Sequence, residues 1–115
     1  KDTNLDIKII EGGPVSVGRN RGAEIADSKY LVFIDADVRL YTIDTLLNSW
    51  QRLKDNPKLR LLTCKLKSYS TSIISKVVFA TYNLVHRILV KKYPFAIGAY
   101  FFLRKIDFVK FGMFN

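Results

Sequence analysis

Apolar residues fall along the chain in short runs whose spacing changes period, and those changes predict the elements. Ile7-Lys8-Ile9-Ile10 reads as a short strand, followed by the turn-forming Glu11-Gly12-Gly13-Pro14. From Gly18 to Ala26 the sequence GRNRGAEIA predicts a short helix carrying Ala23, Ile25 and Ala26, which ends near Asp27-Ser28. Leu31-Val32-Phe33-Ile34, unbroken behind Tyr30, reads as a strand buried on both faces. Strand, helix and strand in that order make a βαβ unit, so a parallel sheet is expected here.

Beyond Leu40 the period becomes helical. Thr42 is placed to cap a helix through Leu46, Leu47, Trp50 and Leu53, and Asn56-Pro57 stops it. Leu59 to Lys67 alternates in part, setting Leu62, Cys64 and Leu66 against Thr63, Lys65 and Lys67, which predicts a strand with one basic face. Ser72 to Lys92 is the longest helical segment. Its polar stripe of Ser72, Ser75, Lys76, Asn83, His86 and Arg87 interrupts a wide apolar arc, the pattern of a core helix. Lys91, Lys92 and Tyr93 at its end would also suit a lipid headgroup layer, with the helix lying on the membrane. Gly98 to Leu103 reads as a strand and Arg104 to Phe111 as a short helix. The chain shows neither repeats nor a low-complexity linker.

At 115 residues, 49% of them apolar and 13% aromatic, the chain has material for one domain with a core. Its apolar runs fall well short of the roughly 18 residues a spanning helix needs, and no signal peptide opens the sequence. Nineteen Lys and Arg against ten acids give a net charge of +9, which points to phosphates as partners, in a nucleotide, a nucleic acid or an anionic lipid surface, with simple solubility as the alternative. Cys64 is the sole cysteine, so there is neither an internal disulfide nor a thiolate metal cluster, and a reducing, cytoplasmic setting is expected. His86 is the sole histidine and lies in a predicted helix, which argues against a Ser-His-Asp triad.

The chemistry concentrates at Asp35 and Asp37, directly behind the apolar strand. Open α/β sheets bind ligands at such strand ends. A turn there presents both carboxylates to one hard cation, Mg2+ or Mn2+, which keeps waters and bridges to substrate phosphates. Three readings compete with this one. The two acids can simply cap and solvate a loop. A phosphatase of the haloacid-dehalogenase type also has DxD behind a strand, its first Asp acting as nucleophile. Arg39 stands where that pattern has Thr or Val, and downstream of Asp37 the only acids are Asp44, Asp55 and Asp107, so the pattern is poorly met. A basic module binding nucleic acid or a membrane surface without catalysis is the third. No nucleic-acid motif or stacking platform is evident, so nucleic acid is not the expected partner.

GRNRGAEIADSKYLVFIDADV resembles the "ARN-x-G-x-x-x-A-x-G-x-y-l-x-F-l-D-x-D" core of the large inverting glycosyltransferase family that includes polysaccharide and dolichyl-phosphate sugar synthases. GAYFFLRKIDFVKFGMFN is similar to that family's "G-x-x-f-l-x-R-r-x-x-f-x-x-v-G-G-F-n-E" segment, and the two occur in the family's order. The resemblance implies a partial GT-A fold: a Rossmann-like, mainly parallel mixed sheet flanked by helices, spanning residues 1–115. It implies a nucleotide-sugar donor, a saccharide, protein or polyprenyl-lipid acceptor, and Mg2+ or Mn2+. By the same likeness Arg19 lies near the nucleotide base or phosphates, while Asn20 and Gly22 shape the turn entering the helix. Asp35 faces the ribose or a metal-bound water, and Asp37 binds the metal. Gly98 and Ala99 leave room near the sugar, and Arg104 neutralises a diphosphate or acceptor. Two family features have no counterpart: the "V-S-V-x-I-P-x-y-N-E" nucleoside-binding strand is not matched in Lys1 to Asp6, and the carboxylate base is expected beyond Asn115. A partial catalytic domain, inactive alone and in peripheral contact with the cytoplasmic face of a membrane, is therefore expected.

Overall fold

A computed structural model describes residues 6–90 and 98–114, which form four helices and three strands. In chain order they are α1 (Val15–Ile25), β1 (Tyr30–Ile34), α2 (Asp44–Asp55), β2 (Leu61–Thr63), α3 (Ile73–Leu89), β3 (Tyr100–Arg104) and α4 (Lys105–Lys110). The mixed α/β character is as the sequence predicts. The direction of the sheet is not. Among the described residues its order is β1-β3-β2, and β3 runs antiparallel to both neighbours. Ile34 stands opposite Tyr100 and Tyr30 opposite Arg104, so β3 starts beside the end of β1 and runs back along it. The parallel expectation rested on a strand at Ile7 to Ile10, which forms none, and Ile9 is 94% exposed. Helix α1 therefore connects no pair of described strands.

Because it lies between the other two strands, β3 is the one buried on both faces. Phe101 and Leu103 point into a core with Ala23 of α1, Leu31 of β1 and Phe108 of α4. Tyr100 and Phe102 point the opposite way, into a core with Leu53 of α2, against which Leu46, Leu59 and Leu62 pack. Burying each of these large side chains contributes about 1.5 to 3 kcal/mol, and β3 supplies four of them in a row. Strand β1 does not match the expectation of burial on both faces. Leu31 is buried and Phe33 half-buried, but Val32 and Ile34 remain 40% and 39% exposed, because β1 is an edge strand.

Helix α2 follows its predicted span, although its N-cap is Ile43 rather than Thr42, and no side chain caps that end. Helix α3 departs more sharply from its reading as a core element: none of its residues is buried. Its inner face carries part of the polar stripe, with Ser75, Asn83 and His86 half-buried beside Phe79. The Asn83 side chain there donates to the Leu66 carbonyl at 2.6 Å and accepts from the Leu66 N–H at 3.0 Å. A narrow polar face thus holds the helix, and the wide apolar arc faces outward. Lys91, Lys92 and Tyr93 lie outside the described residues. Among those residues no helix is long and apolar enough to cross a membrane.

Candidate functional site

The ladder between β1 and β3 runs one residue past the strand: the Asp35 N–H donates to the Ala99 carbonyl at 3.1 Å. This fixes the direction in which the Asp35 side chain leaves the sheet. The chain then turns at once, closed by the Val38 N–H donating to the Asp35 carbonyl at 3.0 Å. Asp37 sits on that turn, exposed, with neither an ion pair nor a side-chain hydrogen bond to the described residues. The strand end therefore carries two carboxylates with different surroundings, one held and one open.

Arg19 does the holding. Its Nη2 donates to Asp35 Oδ1 and, at 3.0 Å, to the Gly98 carbonyl. Its guanidinium carbon stands 5.6 Å from the centre of the Phe101 ring and 5.5 Å from that of Phe114. A planar guanidinium suits such a site, because it stacks on rings while its edge still donates hydrogen bonds. Both contacts use Nη2, so Nε and Nη1 keep N–H donors without a partner among the described residues. Those donors suit an anion arriving at the turn.

Asn20, expected at a turn entering the helix, is well inside α1, which begins at Val15. Its amide donates to the Phe114 carbonyl at 2.7 Å and accepts from the Phe114 N–H at 3.0 Å. Asn20 is thus a clamp on the segment after α4, and the clamp holds the Phe114 ring beside Arg19. The chain reaches that clamp through Gly112 and Met113, whose φ angles are 87° and 63°. Glycine adopts this left-handed region freely, while Met113 holds it at a cost of roughly 1 kcal/mol. The Phe114 ring meets Phe33, Phe101 and Phe108 edge-on, at centroid distances of 5.7, 5.8 and 5.4 Å. Gly98 contributes its carbonyl more than its small size. A Cβ there would lie 3.9 Å from Arg19 Nη1, an ordinary contact.

Arg104 lies at the opposite end of β3 from Asp35, about 17 Å along the strand. It donates to the Leu59 carbonyl at 2.6 Å, to the Asn56 carbonyl at 3.1 Å and to the Leu53 carbonyl, so it ties down the end of α2. Arg104, expected to neutralise an acceptor or diphosphate, is thus set apart from Arg19, Asp35 and Asp37. Its partner is Asp107, which also accepts from Arg60 at 2.5 Å. Asp107 is 3% exposed. Burial pushes its pKa up, but the hydrogen bonds and charges of Arg60 and Arg104 outweigh that and hold it below the ordinary carboxylate value.

Sequence reasoning missed this ion cluster, although Arg104 and Asp107 at i,i+3 across a helix start carry its local signal. It also missed the aromatic shelf under Arg19. The alternation of β3 could have found half of it, since Phe101 shares a face with Leu103.

Two carboxylate oxygens on one turn are hard donors of the kind Mg2+ and Mn2+ prefer. Among the described residues no group of three or more His, Cys, Asp or Glu side chains gathers. Asp35 and Asp37 are the residues at this strand end that could hold such an ion. Arg19 also lines an open groove of about 330 Å3 between α1 and the free edge of β1. No family model, no curated protein and no solved structure matches the chain.

Proposed function

We propose that the chain is part of the catalytic domain of a metal-dependent, inverting glycosyltransferase of the GT-A type that uses a nucleotide-sugar donor. The observation that carries this reading is the convergence of Arg19, Asp35 and Gly98. They come from two motifs, with Asp35 and Gly98 lying 16 and 79 positions from Arg19, and they meet through one guanidinium. Beside them stands the open carboxylate of Asp37.

In this reading the spare N–H donors of Arg19 take a phosphate oxygen of the donor, and Asp35 orients the ribose or a metal-bound water. Asp37, helped by Asp35, would hold Mg2+ or Mn2+, whose charge would offset that of the departing nucleoside diphosphate. The acceptor hydroxyl attacks the anomeric carbon as its bond to the diphosphate breaks, and the hydroxyl proton passes to a carboxylate base. A divalent ion supplies several kcal/mol of leaving-group stabilisation, whereas an exposed Arg contact supplies about 1 kcal/mol or less. Asp37 is accordingly the most consequential residue of the site.

Calorimetry with UDP and GDP, with and without Mn2+, tests the reading. Nucleotide binding that requires the metal supports it. Binding indifferent to Mn2+, or none to either nucleotide, overturns it, and oligonucleotide binding that falls steeply with salt would assign the positive charge to nucleic acid instead.

A further inference from the structure

Helix α3 is mounted the reverse way from a core helix. Its polar side packs on the body of the protein, and its apolar side points away. Ile73 and Ile74 are 77% and 76% exposed, Val77 and Val78 58% each, and Ile88 62%. On a helical wheel these residues share one half of the circumference with Leu84, Val85 and Leu89, and Lys76 and Arg87 lie along one border of that half. The strip is about 25 Å long. Exposed apolar surface of this extent, rimmed by polar groups, marks a binding face.

Charge selects the partner. From Asp55 to Asp107 the chain has no carboxylate side chain between the two, and this stretch contains all of α3 and the segment it packs on. Lys65 and Lys67 flank Leu66, to which Asn83 is bound, so both cations emerge beside the helix and both are exposed. Tyr41 and Tyr69 are 95% and 91% exposed. They pair crosswise with cations: Lys67 stands 5.9 Å from the Tyr41 ring and Arg39 5.6 Å from the Tyr69 ring. These pairs tie the loop leaving the Asp37 turn to the loop entering α3. Exposed tyrosines beside cations, next to a helix with an apolar outer half and a basic border, match the headgroup region of an anionic bilayer. A second copy of the chain is a poorer occupant, because each copy carries the same +9 charge.

We infer that the outer face of α3, with the Lys67–Tyr41 and Arg39–Tyr69 pairs, docks the protein on an anionic lipid bilayer. The helix lies in the plane of the interface, its apolar side among the acyl chains and its cations among the headgroups. The loop shared with Asp37 then stands close to the lipid surface.

Sedimentation with vesicles of phosphatidylcholine alone, or mixed with phosphatidylglycerol, reads this directly. The unaltered chain should pellet with the mixed vesicles far more than with the neutral ones, and the difference should shrink at high salt. The double variant Val77→Asp, Ile88→Asp should stay in the supernatant while keeping its circular dichroism and melting midpoint, since both side chains are exposed. Lys76→Ala and Arg87→Ala should each weaken partitioning about fivefold. Failure of the unaltered chain to pellet with anionic vesicles, or equal pelleting of the double variant, overturns the proposal. So does a concentration-dependent dimer without vesicle binding that the double variant abolishes, which would give the face to a second copy. Nucleotide binding is read separately by calorimetry, so failure here leaves the transferase reading standing, and the reverse.

Discussion

Arg19 and Asp35, 16 positions apart, form an ion pair that lies against the rings of Phe101 and Phe114. Helix α1 supplies the cation, the end of β1 the carboxylate, and β3 together with the segment after α4 the aromatic shelf. The pair thus exists only when four parts of the chain are in place. Their side chains are 19% and 40% exposed, enough for a ligand to reach both.

Replacing Arg19 separates its two duties. Arg19→Lys keeps the charge but loses the planar fork and the stacking, so affinity for a nucleoside diphosphate should fall about tenfold in calorimetry. Arg19→Ala should lower it further and also lower the melting midpoint, since Asp35 loses its cation. Unchanged affinity in both variants would remove Arg19 from the site.

Asp37→Asn should abolish the part of nucleotide binding that depends on Mn2+ and leave thermal stability within about 0.5 kcal/mol of the unaltered chain, because Asp37 is exposed and contacts no described side chain. Differential scanning calorimetry alongside titration calorimetry checks both halves. A large loss of stability would mean that the residue serves the fold.

Asp107→Asn should destabilise the chain by about 2 to 3 kcal/mol, the low side of a buried pair's loss because the Arg60 side chain is 56% exposed. Chemical denaturation reads this difference. The same carboxylate gives a pH dependence of defined sign. Its folded pKa is lower than its unfolded value, so its stabilisation is complete above the ordinary carboxylate range and is lost as pH falls through the lower folded value. Acid unfolding of the unaltered chain should therefore steepen below about pH 4, and the Asn variant should show a shallower loss there.

Asn20→Ala removes both hydrogen bonds to the Phe114 backbone. The expected cost is about 1 to 3 kcal/mol. The freed ring should also show in the near-ultraviolet circular dichroism, where the aromatic cluster of Phe33, Phe101, Phe108 and Phe114 contributes. Nucleotide affinity should drop only a few fold, since Arg19 and Asp37 remain.

What the sequence determined by itself was local. Tyr30 to Ile34 was legible as a strand from its unbroken apolar run, α2 from its 3-4 spacing and its stop at Asn56-Pro57, and the turn at Asp35 to Val38 from the acids behind the strand. Each is set by contacts among near neighbours in the chain. The tertiary structure alone decided that β3 enters between β1 and β2 and reverses the expected sheet direction, because strand order depends on which distant segments bury one another's faces. It also decided that Asn20 and Arg104 spend their donors on the backbone carbonyls of Phe114, Leu53, Leu59 and Asn56. The same polar side chains could have faced a ligand, and only the position of those carbonyls in space distinguishes the two uses. The orientation of α3 was illegible for a related reason. Periodicity shows that a helix has two sides, and the Asn83 clamp on Leu66 decides which of them faces the protein.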